Sequence, residues 1–400
     1  AGLVVIPVSP EAPPDQWRAL GELVGPFYLF DTTQRTGELR NADGQRRHFP
    51  RSVGFCLLTS GSTGSPRLVL RSDLSLITEG ERYLHGFGFA PADRIVVALP
   101  LCHAFILGLA LGGALVSGCT LYLVPRFTPR VTQRLLREGK ASILPLVPAT
   151  ARLLCESFHD NGPALQDVRQ IIIGAGPVSP ELEQAVIERL GRVPARNYGS
   201  SETGATLGTT GQIVRDGVTG AALSGVEAVI MGEERPGSLF VRMAAPFLGY
   251  LSADTIDTSR VSPDGWYSTG DFATQDEEGW IHIHGRIGEG LRRGGRFIHP
   301  AEVERAVRSH PDVADVVIIG KRDAYGEDVI EAHVETGTVH LSLDSLRQHV
   351  AQLLESYKIP MIWHFHVRFP RTSGGKPDRA RLAERAAPDS LGQSTQLRAK

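Results

Sequence analysis

The stretch Leu58-Thr59-Ser60-Gly61-Ser62-Thr63-Gly64-Ser65-Pro66-Arg67 decides how this chain is organised. Two glycines and four hydroxyl residues fall within residues 58–64, between apolar runs at residues 53–58 and 68–70. Such runs predict buried strands, and the polar cluster between them predicts a turn. Glycines let the backbone approach an anion closely, hydroxyls add donors, and Arg67 adds positive charge. The stretch therefore predicts either a phosphate-binding loop or an ordinary hairpin loop.

Length and composition limit the class of protein. The 400 residues are 42% hydrophobic, which predicts roughly two or three domains with a large core. Basic and acidic residues number 42 and 44, so no basic excess indicates nucleic-acid binding. The four cysteines lack CxxC spacing, which argues against a disulfide framework or a zinc site and favours a reduced, cytoplasmic protein. The longest apolar stretch, residues 104–116, predicts a buried helix too short to span a bilayer, and no signal peptide is visible.

The pattern of segments changes along the chain. Strand and helix signals alternate up to residue 190, which predicts an α/β fold with parallel sheets. Residues 206–283 are β-rich and broken by glycines, as in a β-barrel-like subdomain. A compact α+β unit follows. We therefore expect a large N-terminal domain over residues 1–287, a small C-terminal domain over 288–385, and a disordered tail over 386–400.

Further motifs carry side chains suited to nucleotide chemistry. In Tyr198-Gly199-Ser200-Ser201-Glu202, the tyrosine can stack on a purine and the carboxylate can hold Mg²⁺. Asp271 follows a strand pattern and can accept two ribose hydroxyls. Lys376 lies at a glycine turn that could swing it into a site. Each has a simpler interpretation as a polar turn, a β-turn aspartate or a solvated lysine.

Together, these motifs resemble the adenylate-forming superfamily of acyl- and aryl-CoA synthetases, adenylation domains and luciferases. The resemblance covers residues 55–382. The family's phosphate loop, TSGTTGxPKG, is TSGSTGSPRL here. The other matching motifs are YGSSE at residues 198–202, YSTGD at 267–271, GR at 285–286, YKIP at 357–360 and PRTSGGK at 370–376.

The resemblance implies ATP, Mg²⁺ and coenzyme A, or a carrier-protein phosphopantetheine in its place, as cofactors. It makes Lys376, Glu202 and Ser201 catalytic, with Glu202 as the metal ligand. It implies that ATP and AMP bind to Thr59, Ser60, Gly61, Ser62, Thr63, Gly64, Arg67, Gly174, Ala175, Gly176, Tyr198, Gly199, Ser200, Asp271 and Arg286. It places the acyl pocket at His103, Phe105, Gly174 and Gly199, the hinge of a mobile C-terminal domain at Gly288, and the thiol site at Arg292 and Gly295.

The implied function is activation of a carboxylic acid to an acyl-adenylate, followed by thioester formation with coenzyme A. Loading of a carrier protein is the alternative acceptor reaction, and a non-catalytic nucleotide-binding scaffold is the alternative class. Residues 104–107 contain no acid to hold an ammonium group, which favours an apolar or aromatic acid. His103 is either a gate at the pocket mouth or a packed core histidine. No nucleic-acid or membrane partner is expected, and a homodimer is left open.

Three positions depart from the family pattern. Arg67 stands where a lysine is usual, and Leu68 where a glycine is usual. Gly288 stands at the hinge, and its conformational freedom is compatible with rotation. Only 58 residues precede Thr59, so we expect an abridged first subdomain.

Replacing Lys376 with alanine is expected to slow adenylate formation at least about 100-fold, the scale of one lost electrostatic donor. The ammonium offsets the repulsion between a carboxylate and a phosphate as they meet. ATP–pyrophosphate exchange measures the step, with Lys140→Ala as the control outside the motifs. Normal exchange in Lys376→Ala would contradict the assigned role.

Overall fold

The structure is a computed structural model that divides into two compact units. It describes residues 3–9, 12, 14–31, 36–40, 49–60, 66–158, 165, 167–209, 218–232, 236–251, 255–287, 290–293, 296–323, 327–337, 341–371, 377–385 and 396–398. The first unit comprises Ala1–Met231, Leu239–Thr269 and Gln275–His282, and the second comprises Gly232–Ser238, Gly270–Thr274 and Ile283–Lys400. The domain boundary predicted at residue 288 stays a prediction.

Four strands follow the first helix, and from Asp73 to the middle of the chain helices and strands alternate. In chain order, these elements are α1 (Pro14–Val24), β1 (Phe27–Asp31), β2 (Thr36–Arg40), β3 (Phe55–Ser60), β4 (Pro66–Arg71), α2 (Asp73–Gly86), β5 (Arg94–Val97), α3 (Ala104–Ile106), a π-helical segment (Leu107–Gly112), α4 (Gly113–Ser117), β6 (Thr120–Leu123), α5 (Pro129–Arg137), β7 (Ile143–Leu146), α6 (Pro148–Ser157), β8 (Gln170–Gly174), α7 (Pro180–Leu190) and β9 (Ala195–Ser200).

Shorter strands follow, as the glycine-rich sequence predicts. They are β10 (Gly204–Gly208), β11 (Ala221–Ala222), β12 (Val226–Met231), β13 (Gly237–Met243), β14 (Gly249–Leu251), β15 (Ile256–Asp257), β16 (Tyr267–Gln275) and β17 (Ile281–Arg286). β12, β13, β16 and β17 form a four-stranded sheet in that order, and β15 and β14 join β4 and β3 in another.

A seven-stranded sheet ordered β11-β10-β9-β8-β7-β5-β6 forms the centre of the first unit. The five strands β9, β8, β7, β5 and β6 are parallel, and β10 pairs antiparallel with both β9 and β11. All residues of β7 and β8 are buried, as expected for parallel strands covered on both faces. The predicted α/β class with parallel sheets is confirmed.

The stretch Leu58–Arg67 spans the end of β3 and the start of β4, which are neighbours in one sheet. β3 and β4 are antiparallel, with Thr59 opposite Arg67 and Ser60 opposite Pro66. Cys56, Leu68 and Leu70 pack into one apolar cluster, which explains the two apolar runs. The tip, with Gly61, Ser62, Thr63 and Gly64, lies outside the described residues.

Helix α2 crosses the π-helical segment at two glycines. A Cβ built on Gly80 would lie 2.2 Å from the carbonyl oxygen of Gly112. Ser72 caps the helix by accepting a hydrogen bond from the backbone N–H of Ser75.

The apolar run at residues 104–116 is helical as predicted, but its middle is π-helical rather than α-helical.

The second unit contains a four-stranded sheet ordered β20-β21-β22-β23. Its further elements are β18 (Leu291–Arg293), β19 (Arg296–Ile298), α8 (Pro300–Arg308), β20 (Asp315–Arg322), β21 (Asp328–Glu335), α9 (Leu343–Leu353), a 3₁₀ turn (Ser356–Lys358), β22 (Ile362–His366), α10 (Arg379–Arg385) and β23 (Gln396–Arg398). One face of the sheet packs Ile330, Val334 and Trp363 against α8 and α9. The tail predicted to be disordered thus contains one short described strand, β23.

No helix in the described part of the chain is both long and apolar enough to cross a membrane.

Gly80→Ala is expected to lower the free energy of unfolding by about 1–3 kcal/mol, because an added methyl group overpacks the crossing between α2 and the π-helical segment. Leu74→Ala, at an exposed position of the same helix, is expected to change it by less than about 0.5 kcal/mol. Denaturant unfolding measures both. Equal stabilities for the two variants would show that the crossing tolerates the methyl group.

Candidate active site

The carboxyl ends of β8 and β9 bring two predicted site segments to one edge of the parallel sheet. Gly174, the last residue of β8, pairs with Asn197 of β9, and ligands of open α/β sheets bind at such edges. Ala175 has a φ of 60° and is the one non-glycine residue with a left-handed backbone among those the structure describes. Backbone strain of this kind is concentrated at functional sites.

Close backbone packing fixes the turn between β9 and β10. A Cβ on Gly199 would lie 2.1 Å from the carbonyl oxygen of Gly204, and Gly204 itself has a φ of 66°. Ser200 and Thr203 are joined through their hydroxyls at 3.1 Å. These contacts constrain the backbone of the turn that carries Ser201 and Glu202.

A buried ion pair contacts the backbone of the turn between β9 and β10. Arg71, at the end of β4, donates to Glu79 of α2 at 3.1 Å and to the carbonyl oxygen of Ser201 at 3.2 Å. Glu79 also accepts the backbone N–H of Ala205 at 3.0 Å. A Cβ at Gly204 would lie 2.1 Å from the Glu79 carboxylate, so the missing side chain leaves room for it.

Two neighbours on α2 add further contacts. Arg82 donates to the carbonyl oxygens of Thr203 and Ala205 at 3.1 and 2.7 Å. Tyr83 donates to the side chain of Asn197 at 3.3 Å. Helix α2 thus holds both strands that flank the turn.

The Glu202 carboxylate is held in place from the side. The Tyr250 hydroxyl donates to its Oε1 at 2.6 Å. Burial and the negative charge of Glu202 raise the pKa of Tyr250. Burial, followed by Glu202, raises the pKa of Tyr267 to about 12. Both phenols therefore stay protonated at neutral pH and can donate hydrogen bonds.

The half-buried Glu202 carboxylate fits Mg²⁺, which takes oxygen ligands and is often bound through one or two carboxylates. Tyr250 engages Oε1 and so fixes the orientation of the group. Outer partners of this kind orient a metal ligand.

Arg67 follows the hairpin tip and lies 5.8 Å from the centroid of the Tyr250 ring. It also lowers the pKa of Asp257, after the larger effect of hydrogen bonds from Ser259. A positive group thus stands at the rim of the hairpin, as predicted.

The predicted acyl pocket is partly assembled. A Cβ on Gly174 would lie 2.6 Å from the ring of Phe105, so these two residues are in contact. His103 precedes α3 and is exposed, which excludes the interpretation as a packed core histidine. Tyr198 is half-buried on β9.

In the second unit, two predicted ribose-binding residues meet on neighbouring strands. Arg286 of β17 lies 3.3 Å from the carboxylate of Asp271 on β16. Asp271 is buried and Arg286 exposed. The backbone N–H of Ile287 donates to the carbonyl oxygen of Gly270 at 2.7 Å, which ties the two motifs together.

Comparison with known proteins identifies the chain. Residues 32–251 match the AMP-binding enzyme family, and residues 302–376 match the AMP-binding enzyme C-terminal domain. The chain belongs to the AMP-binding enzyme family. It is 28% identical to the sulfoacetate–CoA ligase of Cupriavidus necator, covering 84% of this chain and 68% of the relative.

Two further relatives extend the comparison. The indoleacetate–CoA ligase of Aromatoleum aromaticum is 29% identical over 92% of this chain and 72% of its own length. The O-succinylbenzoate coenzyme A synthetase of Bacillus subtilis, solved with ATP and magnesium, is 25% identical. It aligns with a TM-score of 0.74 over 83% of this chain and 70% of that one. The chain thus spans about two thirds of the length of such relatives.

These comparisons confirm the predicted superfamily, the α/β fold with a small C-terminal domain, and the class of AMP-forming acid–CoA ligase. ATP, Mg²⁺ and coenzyme A, predicted as cofactors, are those of this class.

Several predicted residues of this AMP-binding enzyme lie outside the described residues: Lys376, Gly288 and Gly295. Arg292 is on β18, and nothing is described of its side chain. β18 and β19 pair antiparallel, with Arg293 opposite Arg296. A cavity of about 530 Å³ in the second unit is lined by Arg293, Arg296, Asp323, Glu327 and Tyr357.

Sequence reasoning about this AMP-binding enzyme missed Arg71, Glu79, Arg82 and Tyr250. The three charged residues are each about 2% exposed, although charged residues are rarely buried unless paired. Arg71 and Glu79 are spaced eight residues apart, which no periodic pattern distinguishes from surface charges. The one sequence feature that indicates burial of a charged residue here is the position of Arg71 directly after an apolar strand.

Tyr250→Phe is expected to raise the Mg²⁺ concentration needed for adenylation about 10-fold, because loss of an outer-shell partner costs a metal ligand its orientation. Pyrophosphate release measured against Mg²⁺ concentration tests this. Tyr122→Phe removes a hydroxyl from a tyrosine on β6 and is the control. An unchanged Mg²⁺ dependence in Tyr250→Phe would contradict the role of the hydrogen bond.

Proposed function

We propose that this enzyme activates an apolar or aromatic carboxylic acid with ATP and then transfers the acyl group to coenzyme A. The contact between Tyr250 and Glu202 at 2.6 Å carries the proposal, because it orients a carboxylate for Mg²⁺ on the turn that follows β9, the strand that bears the purine-stacking candidate, Tyr198. A scaffold that only bound a nucleotide would not need a carboxylate so firmly oriented.

The apolar residues at the carboxyl end of β8 support the proposal that the substrate is an apolar or aromatic acid. Phe105 contacts Gly174, and residues 104–107 are Ala-Phe-Ile-Leu. An α-ammonium group would lack a carboxylate partner on this segment, and burying it unpaired is costly. The named acids of the two ligases compared above differ from each other, so the choice rests on this chain's own residues.

In the first step, a carboxylate oxygen of the acid attacks the α-phosphorus of ATP. The new oxygen–phosphorus bond forms as the bond to the β-phosphate breaks, and pyrophosphate leaves. Lys376 neutralises charge at the reacting oxygens, and the N–H groups of residues 61–64 receive the pyrophosphate. Glu202 would hold Mg²⁺, which offsets negative charge on the phosphates when bound.

The ribose is held by Asp271, whose carboxylate can accept from both hydroxyls, with Arg286 beside it at 3.3 Å. Tyr198 stacks on the adenine, and Gly174, Ala175 and Gly176 border it. Holding both substrates in line supplies a large part of the rate enhancement.

In the second step, the thiolate of coenzyme A attacks the acyl carbon, a thioester forms and AMP leaves. Rotation of the C-terminal domain about Gly288 would remove Lys376 and admit the thiol, a hinge motion. Arg292 and Gly295 are the proposed thiol-site residues, and Arg293 and Arg296 add charge to the adjacent cavity.

A pyrophosphate-release screen over aliphatic, aromatic and amino acids tests the first step, with Glu202→Gln as the matched inactive control. We expect turnover with apolar or aromatic acids, none with amino acids, and at least about a 100-fold loss in the control. Activity with amino acids alone would overturn the proposed substrate class. Silence across the panel with intact ATP binding would instead favour the scaffold.

The acceptor is tested with the best acid from that screen. The enzyme is supplied with coenzyme A or with a holo-carrier protein, and the thioester is identified by mass. We expect acyl-CoA. Exclusive acylation of the carrier protein would contradict the proposed acceptor while leaving the adenylation step intact.

A further inference from the structure

Three histidines and a glutamate gather on the second face of the sheet in the second unit, away from its apolar core. β21 and β22 are parallel and pair His333 with His364 and Glu335 with His366. Because side chains alternate along a strand, Glu331 and His333 lie on the face opposite Ala332 and Val334. Nothing in the proposed adenylation chemistry uses these histidines.

The side chains are close enough to share one ion. Nε2 of His364 lies 3.3 Å from Oε2 of Glu331, and the rings of His333 and His364 stack with centroids 4.5 Å apart. One ligand atom from each of Glu331, His333 and His364 lies within 4.8 Å of the other two. All three residues are at most 5% exposed.

His333 has a buried nitrogen that lacks a partner. Its side chain is completely buried, and within the described part of the chain no hydrogen bond reaches its Nε2. Its other nitrogen, Nδ1, lies 3.1 Å from Nε2 of His366. Buried polar atoms are almost always satisfied, and an exception asks for an explanation such as an ion.

We propose that Glu331, His333 and His364 form a binding site for a divalent metal ion of the zinc type. His366 is a positioning residue: it accepts the N–H of His333 Nδ1 and leaves Nε2 to bind the ion. Metal-binding histidines commonly donate their second nitrogen to such a partner.

The donor set matches the chemistry of zinc. Imidazole nitrogens and a carboxylate oxygen bind Zn²⁺ at about 2.0–2.2 Å, so ligand atoms around a tetrahedral ion are about 3.3 Å apart. The contact between Glu331 and His364 already has this separation, 3.3 Å. The ligand atom of His333 lies within 4.8 Å of the ligand atoms of Glu331 and His364. A small movement of these side chains toward one another would bring all three to the separation that zinc requires.

Lys321 opposes metal binding. Its Nζ lies 3.3 Å from Oε2 of Glu331, the same oxygen that faces His364. The ammonium and a metal ion therefore compete for one carboxylate. Removing this charge should strengthen metal binding, an effect that a purely structural histidine cluster would not show.

Metal binding is measured on the full chain after chelation and dialysis. Zinc stoichiometry is determined by elemental analysis, and Co²⁺ is titrated while its visible absorption is recorded. We expect about one tightly bound equivalent and a cobalt spectrum without a thiolate band, because the proposed ligands are nitrogen and oxygen.

Variants assign the site. His333→Ala and the nearly isosteric Glu331→Gln should each lower zinc affinity at least about 100-fold, beyond the 10–100-fold expected for the positioning variant His366→Ala. Lys321→Met should raise the affinity. His349→Ala removes a histidine from the same unit but outside the cluster and is the control. Glu202→Gln should leave zinc affinity unchanged, which separates this site from the proposed Mg²⁺ site.

Failure of the wild-type chain to retain zinc at micromolar concentration would overturn the proposal. Equal zinc affinities in wild type and Glu331→Gln would also overturn it. Because Glu331→Gln nearly preserves the shape of the side chain, this test remains available if His333→Ala does not fold. Neither result bears on adenylation, which is assayed separately by pyrophosphate release.

Discussion

The buried ion pair between Arg71 and Glu79 is the interaction on which the candidate active site depends. Breaking a buried pair by removing one partner costs about 3–5 kcal/mol, because it leaves an unpaired charge in a medium of low polarity. Here each partner also has backbone contacts at 3.0–3.2 Å, to the carbonyl of Ser201 and the N–H of Ala205. The stability of the core and the shape of the Glu202 turn are therefore set by the same four groups.

The glycines around this ion pair are required for one shared physical reason, the space that the Glu79 carboxylate occupies. Side chains at Gly108 and Gly204 would each collide with the Glu79 carboxylate, at 1.9 and 2.1 Å. Helix α2 can carry this carboxylate to the start of β10 only because both neighbouring backbones lack a Cβ. The hairpin of β3 and β4, which supplies Arg71, is thus linked through α2 to the turn that carries Glu202.

Sequence reasoning recovered the features that depend on local patterns. Apolar runs predicted the strands that flank the Thr59–Arg67 connection, and motif order indicated the family. It could not find Tyr250, because its partner Glu202 is 48 residues away and a tyrosine in a short strand has the same pattern whether or not it orients a carboxylate. The π-helical segment was missed because an apolar run predicts burial but not the number of residues per helical turn.

That π-helical segment affects how the chain tolerates a change of length beside the proposed acyl pocket. Its hydrogen bonds span five residues instead of four, so it contains one residue more than an α-helix needs over the same rise. Deleting a single residue from Leu107–Gly112 would therefore restore an α-helical path and leave the residues on either side in place. Phe105 would keep its contact with Gly174. The same deletion in a regular α-helix would rotate one flank against the other by about 100°.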